Sequence, residues 1–522
     1  MTYQEWLERF SNLSAKDRAE LRRETDGLAY RPLISVLLPV YNPDLKFLGE
    51  AIESVRRQIY QHWELCLADD ASTDPRVRPF LKEQAQSDPR LRLIFRDKNG
   101  HISACSNSAL TLVRGEWCAL LDQDDLVAEN ALAAVALEID RHPDASVIYS
   151  DEDFVDAAGA RSNPFFKPDW SPELFLAQNY LNHLGVYRSA LLREIGGFRE
   201  GFEGSQDYDL ALRCVARSDA RQIRHIPHLL YHWRTLPGSL AKKPDAKPYA
   251  RHAARRALNS YLNERGIAAR AEACPQNEES HRVIYEVPRP LPKVTLITTT
   301  MDDAHEGFSF PTLEIIRAPA GSTAMNAAAT RAKGEVLIFL HRTIEATEIG
   351  WLEEIVSHVV RPEVGAVGAR LWSARGQLED GGLILGLNGL AAPPFQGLPR
   401  EHPGYFNRAW LQQNYSAVSG ACLALRQKVF VQAGGFDVRN LPHHFYDIDL
   451  CLRLGEQNLQ VVWTPYANLT LAGREALRAK PMAEEVNYMQ RRWGERLSRD
   501  PFYNPNLSLE PPGFVLAIPP RC

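Results

Sequence analysis

The 522-residue chain lacks several features that define other classes of protein. Its eight cysteines include no Cys-x-x-Cys pair, which favours reduced thiols over a disulfide framework or a zinc site. No apolar run approaches the roughly 18 residues of a membrane-spanning helix, and the N-terminal residues are not those of a signal peptide. The net charge of −5 argues against a general nucleic-acid binder, because such proteins are usually basic. These absences predict a cytoplasmic protein without nucleic-acid partners.

Two phosphate-binding signatures are absent too. No Gly-x-Gly-x-x-Gly follows the first predicted strand, and no Gly-x-x-x-x-Gly-Lys-Ser/Thr loop occurs. A dinucleotide-dependent oxidoreductase and a phosphate-loop NTPase therefore both lose support. What is present is an ordinary globular composition, with 45% hydrophobic and 24% charged residues. The length suits about three or four domain-sized units.

Alternating strands and helices begin after residue 33. Apolar strand patterns cover 34–40, 63–68 and 91–95, and an amphipathic helix pattern covers 48–59. A further apolar run, 115–121, follows a predicted helix. Alternation at this spacing predicts an α/β fold with a mostly parallel sheet and helices on both faces.

Acidic residues follow two of these strands at their carboxyl ends. Asp69-Asp70 closes the second strand, and Asp122-Gln123-Asp124-Asp125 closes the run at 115–121. Ligands of open α/β sheets bind at this edge, so one cluster could accept hydrogen bonds from a base and ribose while the other holds a cation on phosphates. The alternative is that the acids at 122–125 only start a turn and cap the following helix.

Two later segments carry further candidates. Asp207 falls in the first turn of a predicted helix, where backbone N–H groups stabilise a charged carboxylate that could act as a base. It could equally be only a helix cap. His232 lies with Arg234, Lys242 and Lys243 in a loop-like segment that could close over phosphates.

Together these blocks resemble the family-2 glycosyltransferases with the GT-A fold. The match is carried, in order, by 34–42, Asp69-Asp70-Ala71-Ser72-Thr73-Asp74, Asp122-Gln123-Asp124-Asp125, Gly196-Gly197-Phe198 and Gln206-Asp207 leading to Leu210 and Arg213. Each block alone is weak, whereas their order and spacing over about 200 residues are specific.

The resemblance implies a role for each candidate residue. Asp207 would be the catalytic base. The divalent metal, Mn²⁺ or Mg²⁺, would be held by Asp122, Asp124 and His232. The donor nucleotide would be bound by Pro39, Tyr41, Asn42, Asp69, Asp70, Asp122 and Arg234.

The implied reaction is hexosyl or deoxyhexosyl transfer with inversion at the anomeric carbon. The donor would be a UDP-, GDP- or dTDP-sugar, and the acceptor a glycan or lipid-linked oligosaccharide of bacterial surface-polysaccharide (O-antigen) synthesis. Such an acceptor implies peripheral contact with the inner face of the cytoplasmic membrane. A nucleotidyltransferase, a non-catalytic carbohydrate-binding or scaffold subunit, and a bifunctional transferase are the alternatives.

An internal repeat divides the chain. Asn107 and Asn326 each lie eight residues before a Gly-Glu pair, at Gly115 and Gly334. Further matches join Asn179-Tyr180 to Asn414-Tyr415, Gly196-Gly197-Phe198 to Gly434-Gly435-Phe436, and 207–213 to 447–453. We expect an N-terminal helical extension (1–31), a catalytic GT-A domain (32–245), a helix with a Pro-rich linker (246–290), a second GT-A-like domain (291–475) and a C-terminal helix and tail (476–522).

The second copy lacks the acids of the first. In register from Gly334, the counterparts of Asp122, Gln123 and Asp124 are His341, Arg342 and Thr343. Asp447 is retained at the position of Asp207. We therefore expect a degenerate domain that binds acceptor glycan, packs on the first copy or mediates assembly. Donor binding without metal, with Arg342 as the counter-charge, is the competing hypothesis.

Overall fold

The computed structural model describes residues 1–235, 248–299, 310–341, 343–346, 348–471 and 481–521. The chain forms two compact units. Unit 1 comprises Met1–Trp170 and Asn179–Ile267, and unit 2 comprises Ser171–Gln178 and 268–521. Lys242, Lys243 and Arg342, named above as candidate cations, lie outside the described residues.

Unit 1 is built on a sheet in the order β3-β2-β1-β4-β8-β6-β9-β5, with β7 beside β6. Its strands are β1 (Ile34–Val40), β2 (Trp63–Asp69), β3 (Leu91–Phe95), β4 (Trp117–Leu120), β5 (Leu126–Val127), β6 (Val147–Val155), β7 (Arg161–Phe165), β8 (Gly185–Arg188) and β9 (Ile223–Arg234). Its helices are α1 (Tyr3–Trp6), α2 (Ala15–Asp26), α3 (Leu45–Arg56), α4 (Val77–Ser87), α5 (His101–Leu110), α6 (Ala131–Arg141), α8 (Ser189–Glu194), α9 (Gln206–Val215) and α10 (Pro248–Glu264); α7 (Pro172–Ala177) lies in unit 2.

The central strands explain why the acids meet at one edge. β1 is flanked by β2 and β4, both parallel to it, so the three carboxyl ends point the same way. Val40 pairs with Asp69, and Leu37 pairs with Leu120, two residues before Asp122. The apolar side chains of these strands and of α3 form the core of the unit. The two acidic clusters therefore flank the end of β1.

Unit 2 repeats this sheet order as β13-β12-β14-β21-β16-β22-β15. Its strands are β10 (Ala269–Cys274), β11 (Asn277–Tyr285), β12 (Val294–Thr298), β13 (Leu313–Arg317), β14 (Val336–Leu340), β15 (Ile344–Glu345), β16 (Val364–Ser373), β17 (Leu378–Asp380), β18 (Ile384–Leu385), β19 (Ala391–Ala392), β20 (Gln413–Asn414), β21 (Cys422–Arg426) and β22 (Gln460–Leu471). Its helices are α11 (Ser322–Arg331), α12 (Trp351–Val359), α13 (Gln427–Gln432), α14 (Tyr446–Glu456) and α15 (Ala483–Ser498).

The shared order confirms the predicted tandem of GT-A-like α/β domains. The strands β2, β1, β4, β8, β6, β9 and β5 of unit 1 correspond in sequence to β13, β12, β14, β21, β16, β22 and β15 of unit 2. In the part of the chain that the structure describes, the sheet of unit 2 has no counterpart of the edge strand β3. The segment predicted as a linker after α10 contains a hairpin of β10 and β11. Among the described residues, no helix is both long and apolar enough to cross a membrane.

The repeated Gly-Glu motif has a structural cause. A Cβ on Gly115 would lie 2.4 Å from the Leu33 carbonyl oxygen, and one on Gly334 would lie 2.4 Å from the Thr295 nitrogen. The Gly115 N–H donates to the Ser35 hydroxyl (3.0 Å), and the Gly334 N–H donates to the Thr295 hydroxyl (2.9 Å). Only glycine fits so close to the neighbouring strand, so this motif belongs to the fold.

The Gly-Gly-Phe motif is structural as well. The Asn107 side chain bonds both the N–H and the carbonyl of Phe198, each at 2.8 Å. The Asn326 side chain bonds Phe436 in the same way, at 3.0 and 2.9 Å. Gly197 and Gly435 adopt φ of +70° and +69° against these amides. What the two copies share is therefore largely what the fold requires.

Candidate active site

The acids after β4 do not cap the next helix. α6 starts at Ala131 with Asn130 as its N-cap. Asp125 is buried, accepting a hydrogen bond from the Tyr231 hydroxyl (2.6 Å) and one from the Arg234 N–H (2.7 Å). Burial, then the charges of Asp122 and Asp124, raise the pKa of Asp125 well above its ordinary value. Asp125 thus anchors the loop to β9, and the loop presents Asp122 at the end of β4.

A pocket lies at the carboxyl edge of the unit 1 sheet, and the empty space in it, including its solvent-open mouth, is about 440 Å³. Asp122 and Asp207 both line it, and so does Pro39 at the end of β1. The other lining residues are Leu37, Ile102, Ser106, Leu120, Leu121, Asn182, His183, Phe198, Gln206 and Tyr231. The fold therefore brings the predicted metal-binding acid and the predicted base into one cavity.

Asp207 is held by two amides. It is the second residue of α9, and Ser205 is the N-cap. Its Oδ2 accepts hydrogen bonds from the side-chain amides of Asn179 (3.3 Å) and Asn182. No described residue donates to Oδ1, so this oxygen is free to accept a proton from a bound hydroxyl.

A buried charged group supports the loop that carries Asn182 and His183. Lys167 is fully buried, and its ammonium donates to the carbonyl oxygens of Asn182 (3.1 Å) and His183 (2.6 Å). Glu152 accepts from the His183 N–H at 2.9 Å and lies 3.8 Å from the Lys167 ammonium. Buried charges are stable only when paired and hydrogen-bonded, and here every charge has a partner.

The His183 ring is fixed on two sides. Its Nδ1 lies 3.0 Å from Glu152 Oε2, and its face stacks on Tyr231 with ring centroids 4.6 Å apart. Burial lowers the pKa of His183, but the bond to Glu152 and the nearby acids outweigh it and raise that pKa to about 9. No motif in the sequence pointed to these residues. A usable signal was the second copy, where Gly420 and Ala421 stand six and five residues before Arg426, as Asn182 and His183 stand before Arg188, its equivalent in the strand register.

The predicted nucleotide-binding residues lie around the end of β1. Tyr41 is 44% exposed. Its backbone N–H donates a hydrogen bond to the side-chain oxygen of Gln123 at 2.9 Å. Asn42 holds the loop after β2 through the N–H groups of Thr73 and Asp74. The carboxylate of Asp69 accepts from the Ser72 N–H at 3.3 Å. These contacts join the loops that follow β1, β2 and β4, and none of Tyr41, Asn42 and Asp69 lines the pocket.

Asp70 and Arg234 are both engaged within the protein. Asp70 is buried, accepts from the Gly100 N–H (3.0 Å) and pairs with Arg96 (3.1 Å). Arg234 is 1% exposed; its guanidinium donates to the Asp124 carbonyl oxygen (2.6 Å) and to Glu50 (2.8 Å). Neither side chain lines the pocket.

His232 is turned away from the pocket residues. Its neighbour Tyr231 lines the cavity, whereas the Nδ1 of His232 lies 2.6 Å from the buried Asp153. Adjacent residues of a strand point to opposite faces, which explains the difference. Asp153 also accepts from the Tyr3 hydroxyl and Arg161, which ties the N-terminal extension to this face.

The donor set suits a hard divalent cation that a diphosphate shares. Two carboxylates, Asp122 and Asp124, stand at the strand end, and Mg²⁺-type ions are commonly held by one or two carboxylates plus phosphate oxygens. In the described ranges, no three His, Cys, Asp or Glu side chains are grouped as a complete metal site. These two carboxylates would therefore supply only part of a coordination shell.

The corresponding position of unit 2 is different. Both Asp447 oxygens are occupied by backbone, Oδ2 by the Gly420 N–H (2.6 Å) and Oδ1 by the Ile448 N–H (2.9 Å). His341 bonds the hydroxyl of Thr343 at 2.8 Å. Unit 2 keeps the corresponding strand, β14, and helix, α14. Its Asp447 accepts backbone hydrogen bonds and so has a structural role.

Known proteins similar to this chain include glycosyltransferases and polysaccharide-synthesis proteins. The O-antigen biosynthesis protein RfbC of Myxococcus xanthus is 35% identical over 526 residues, covering 92% of this chain and 41% of the relative. WcaA of Escherichia coli (strain K12), named for glycosyl transfer in colanic acid biosynthesis, is 30% identical over 210 residues, covering 38% of this chain and 74% of the relative. A crystal structure of Staphylococcus aureus TarS with UDP-GlcNAc has 20% identity and a TM-score of 0.35, covering 44% of this chain and 71% of that chain.

The chain spans less than two thirds of the first relatives, 63% of an uncharacterized Sinorhizobium fredii protein and 41% of RfbC. The family model described as glycosyl transferase family 2 matches residues 35–195, which contain β1 to β8 and the acids after β2 and β4. With the identity to WcaA over most of that relative, the match shows that the chain belongs to glycosyl transferase family 2.

Proposed function

We propose that unit 1 is a metal-dependent, inverting glycosyltransferase that moves a hexosyl or deoxyhexosyl group from a nucleotide sugar to a glycan acceptor. The observation that carries this proposal is the single pocket lined by both Asp122 and Asp207. A transferase of this kind needs a site that binds the diphosphate on one side of the reacting carbon and a base on the opposite side. The pocket offers both, in a chain whose family transfers sugars.

Asp207 performs the proton transfer in this proposal. An acceptor hydroxyl bound at its free Oδ1 attacks the anomeric carbon, forming the new C–O bond as its proton passes to Asp207. The bond from that carbon to the diphosphate oxygen breaks, and the nucleoside diphosphate leaves with the electron pair. One displacement inverts the configuration, so no covalent enzyme intermediate is needed. Asn179 and Asn182 keep the carboxylate aimed at the acceptor.

Asp122 and Asp124 would hold a Mn²⁺ or Mg²⁺ ion. When bound, such an ion neutralises the charge that develops on the departing diphosphate. His232 as a third ligand stays a prediction, for which Nε2 is the ring nitrogen left by Asp153. Pro39, Tyr41 and the Asp69-Asp70 turn would flank the base and ribose.

The acceptor is proposed from the relatives. RfbC and WcaA are named for O-antigen and colanic acid biosynthesis, which favours a growing, lipid-linked surface polysaccharide at the inner face of the membrane. We propose unit 2 as a non-catalytic partner domain, because the oxygens of Asp447 are taken by backbone N–H groups. A bifunctional enzyme would need that carboxylate free.

The test compares the two copies within one chain. Asp207→Asn should lower sugar transfer, or donor hydrolysis without acceptor, by at least about 100-fold, because a positioned base contributes about 10²–10⁴-fold. Asp447→Asn is the matched control and should keep the wild-type rate. Activity is measured with Mn²⁺ and a panel of UDP-, GDP- and dTDP-sugars, and folding by thermal melting.

Two results would overturn the proposal. A wild-type protein that binds no nucleoside diphosphate and shows no metal response is not this enzyme. Equal losses in Asp207→Asn and Asp447→Asn, with both variants folded, would show a second working site in unit 2.

A further inference from the structure

One imidazole in the pocket is left unexplained by the roles above. His183 lies on the cavity wall with Asp122 and Asp207, and 20% of its side chain is exposed. Glu152 occupies Nδ1, and stacking on Tyr231 fixes the ring plane. No described residue bonds Nε2, so this nitrogen is the polar atom that the ring has left for a ligand.

Two buried charged side chains hold His183 in this position. Lys167 and Glu152, both buried, hold the backbone and the ring of His183. Burying such charges costs free energy that well-packed apolar residues of similar size would not cost. A group held so rigidly at a cavity wall fits a binding role, since precise positioning needs supporting contacts.

The second copy acts as an internal control. Unit 2 keeps the strand that follows, in which Arg426 pairs with Val336 as Arg188 pairs with Trp117. Five residues before this arginine, unit 2 carries Ala421 where unit 1 has His183. Ala421 is buried. The fold therefore accepts an apolar residue here, and the histidine is confined to the copy with the pocket acids.

Position decides what His183 can touch. The diphosphate end of the pocket is marked by Asp122 and the acceptor end by Asp207, so the transferred sugar lies between them. The hydroxyl oxygens of a sugar accept hydrogen bonds, and an Nε2–H group is a directed donor. We propose that His183 is a further substrate-binding residue, whose Nε2–H donates to a hydroxyl of the transferred sugar and sets that ring against Asp207. This inference rests on the proposed function.

Two substitutions test the roles of the two ring nitrogens of His183 separately. In His183→Asn the amide nitrogen can replace Nδ1 at Glu152 but nothing replaces Nε2. In His183→Gln the side-chain amide reaches the Nε2 position, and the side-chain hydrogen bond to Glu152 is lost. Loss of one hydrogen bond corresponds to about tenfold in binding. We expect His183→Asn to bind nucleotide sugars about tenfold more weakly and His183→Gln to recover part of that loss.

The measurement is calorimetric binding, with Mn²⁺, of UDP, GDP and dTDP and of UDP-glucose, GDP-mannose and dTDP-rhamnose. His183→Asn should bind the free diphosphates as wild type does, and only the sugar conjugates more weakly. Equal weakening for both classes would place the contact on the diphosphate and overturn the inference. Unchanged binding and transfer in a folded His183→Asn would show that the ring is only structural. A wild type that binds none of the six ligands overturns the proposed function itself.

Discussion

Individual residues divide into those the fold needs and those it does not. The Asn107–Phe198 and Asn326–Phe436 bonds are the same in both units, as are the Asp209–Arg213 and Asp449–Arg453 ion pairs. Asp122, Asn182 and His183 are replaced in unit 2 while the strands around them persist. A residue dispensable for the fold but retained beside a cavity is best explained by chemistry.

Another histidine of unit 1 links stability to pH. His225 is buried between Asp151 (2.8 Å) and Asp169 (3.0 Å) and stacks on Tyr149. Burial lowers its pKa, but the two carboxylates outweigh burial and raise it from 6.5 to about 9. Protonated His225, paired with the two carboxylates, therefore stabilises the folded state. This contribution is complete below pH 6.5 and is lost as the pH rises through about 9.

Thermal melting between pH 6 and 10 tests this linkage. The melting temperature should fall above pH 7, and Asp169→Asn should move that fall to lower pH because His225 then has one carboxylate fewer. Asp26→Asn, at a carboxylate whose side chain is 60% exposed, is the control and should follow the wild-type curve. A fall at the same pH in Asp169→Asn and wild type would contradict the assignment.

At the scale of elements, most regular segments follow from sequence pattern. The strands predicted at 34–40 and 91–95 have those bounds in the structure. The helix predicted at 48–59 runs instead from Leu45 to Arg56, because the Asp44 side chain caps it by accepting from the Lys46 N–H. The hairpin at 269–285 was missed, since its polar, partly exposed residues do not alternate clearly.

The junction of β1 and β4 gives a prediction for both copies. Gly115→Ala and Gly334→Ala should each destabilise the protein by about 1–3 kcal/mol, the usual cost of overpacking, because backbone atoms lie 2.4 Å from the added Cβ. Gly49→Ala is the control: it lies within α3, and its Cβ would meet only Phe80, at 3.5 Å. The midpoint of urea unfolding measures all three.

The outcome of the control is informative in either direction. Gly49→Ala should be neutral or stabilising, since alanine favours a helix over glycine by about 0.5–1 kcal/mol. If Gly115→Ala unfolds at the same urea concentration as Gly49→Ala, the close approach of the two strands is not a constraint on the fold.

At the scale of the whole molecule, the difference between the two copies predicts a single donor site, in unit 1. A nucleoside diphosphate that binds only the folded state raises the melting temperature, by an amount that grows with its concentration relative to Kd. UDP, GDP or dTDP with Mn²⁺ should therefore stabilise wild type and Asp447→Asn equally, and Asp122→Ala much less. Differential scanning fluorimetry with each nucleotide, with and without metal, measures this. Equal stabilisation of Asp122→Ala would place the nucleotide outside the unit 1 pocket.

The sequence alone determined the architecture, and it predicted the two ends of the site, whose roles stay a prediction. Hydrophobic periodicity and the repeated motifs predicted tandem α/β domains, because such patterns are local and survive in a single chain. Acids at strand ends predicted one crevice, since parallel strands present their carboxyl ends at a common edge.

Only the tertiary structure decided which side chains share the cavity. Lys167, Glu152 and His183 are separated by 15 or more residues in sequence, and no local pattern marks their meeting. Tyr231 and His232 are neighbours in sequence, yet one lines the pocket and the other binds Asp153. Packing and the alternation of a strand set these directions, and both depend on which elements lie alongside.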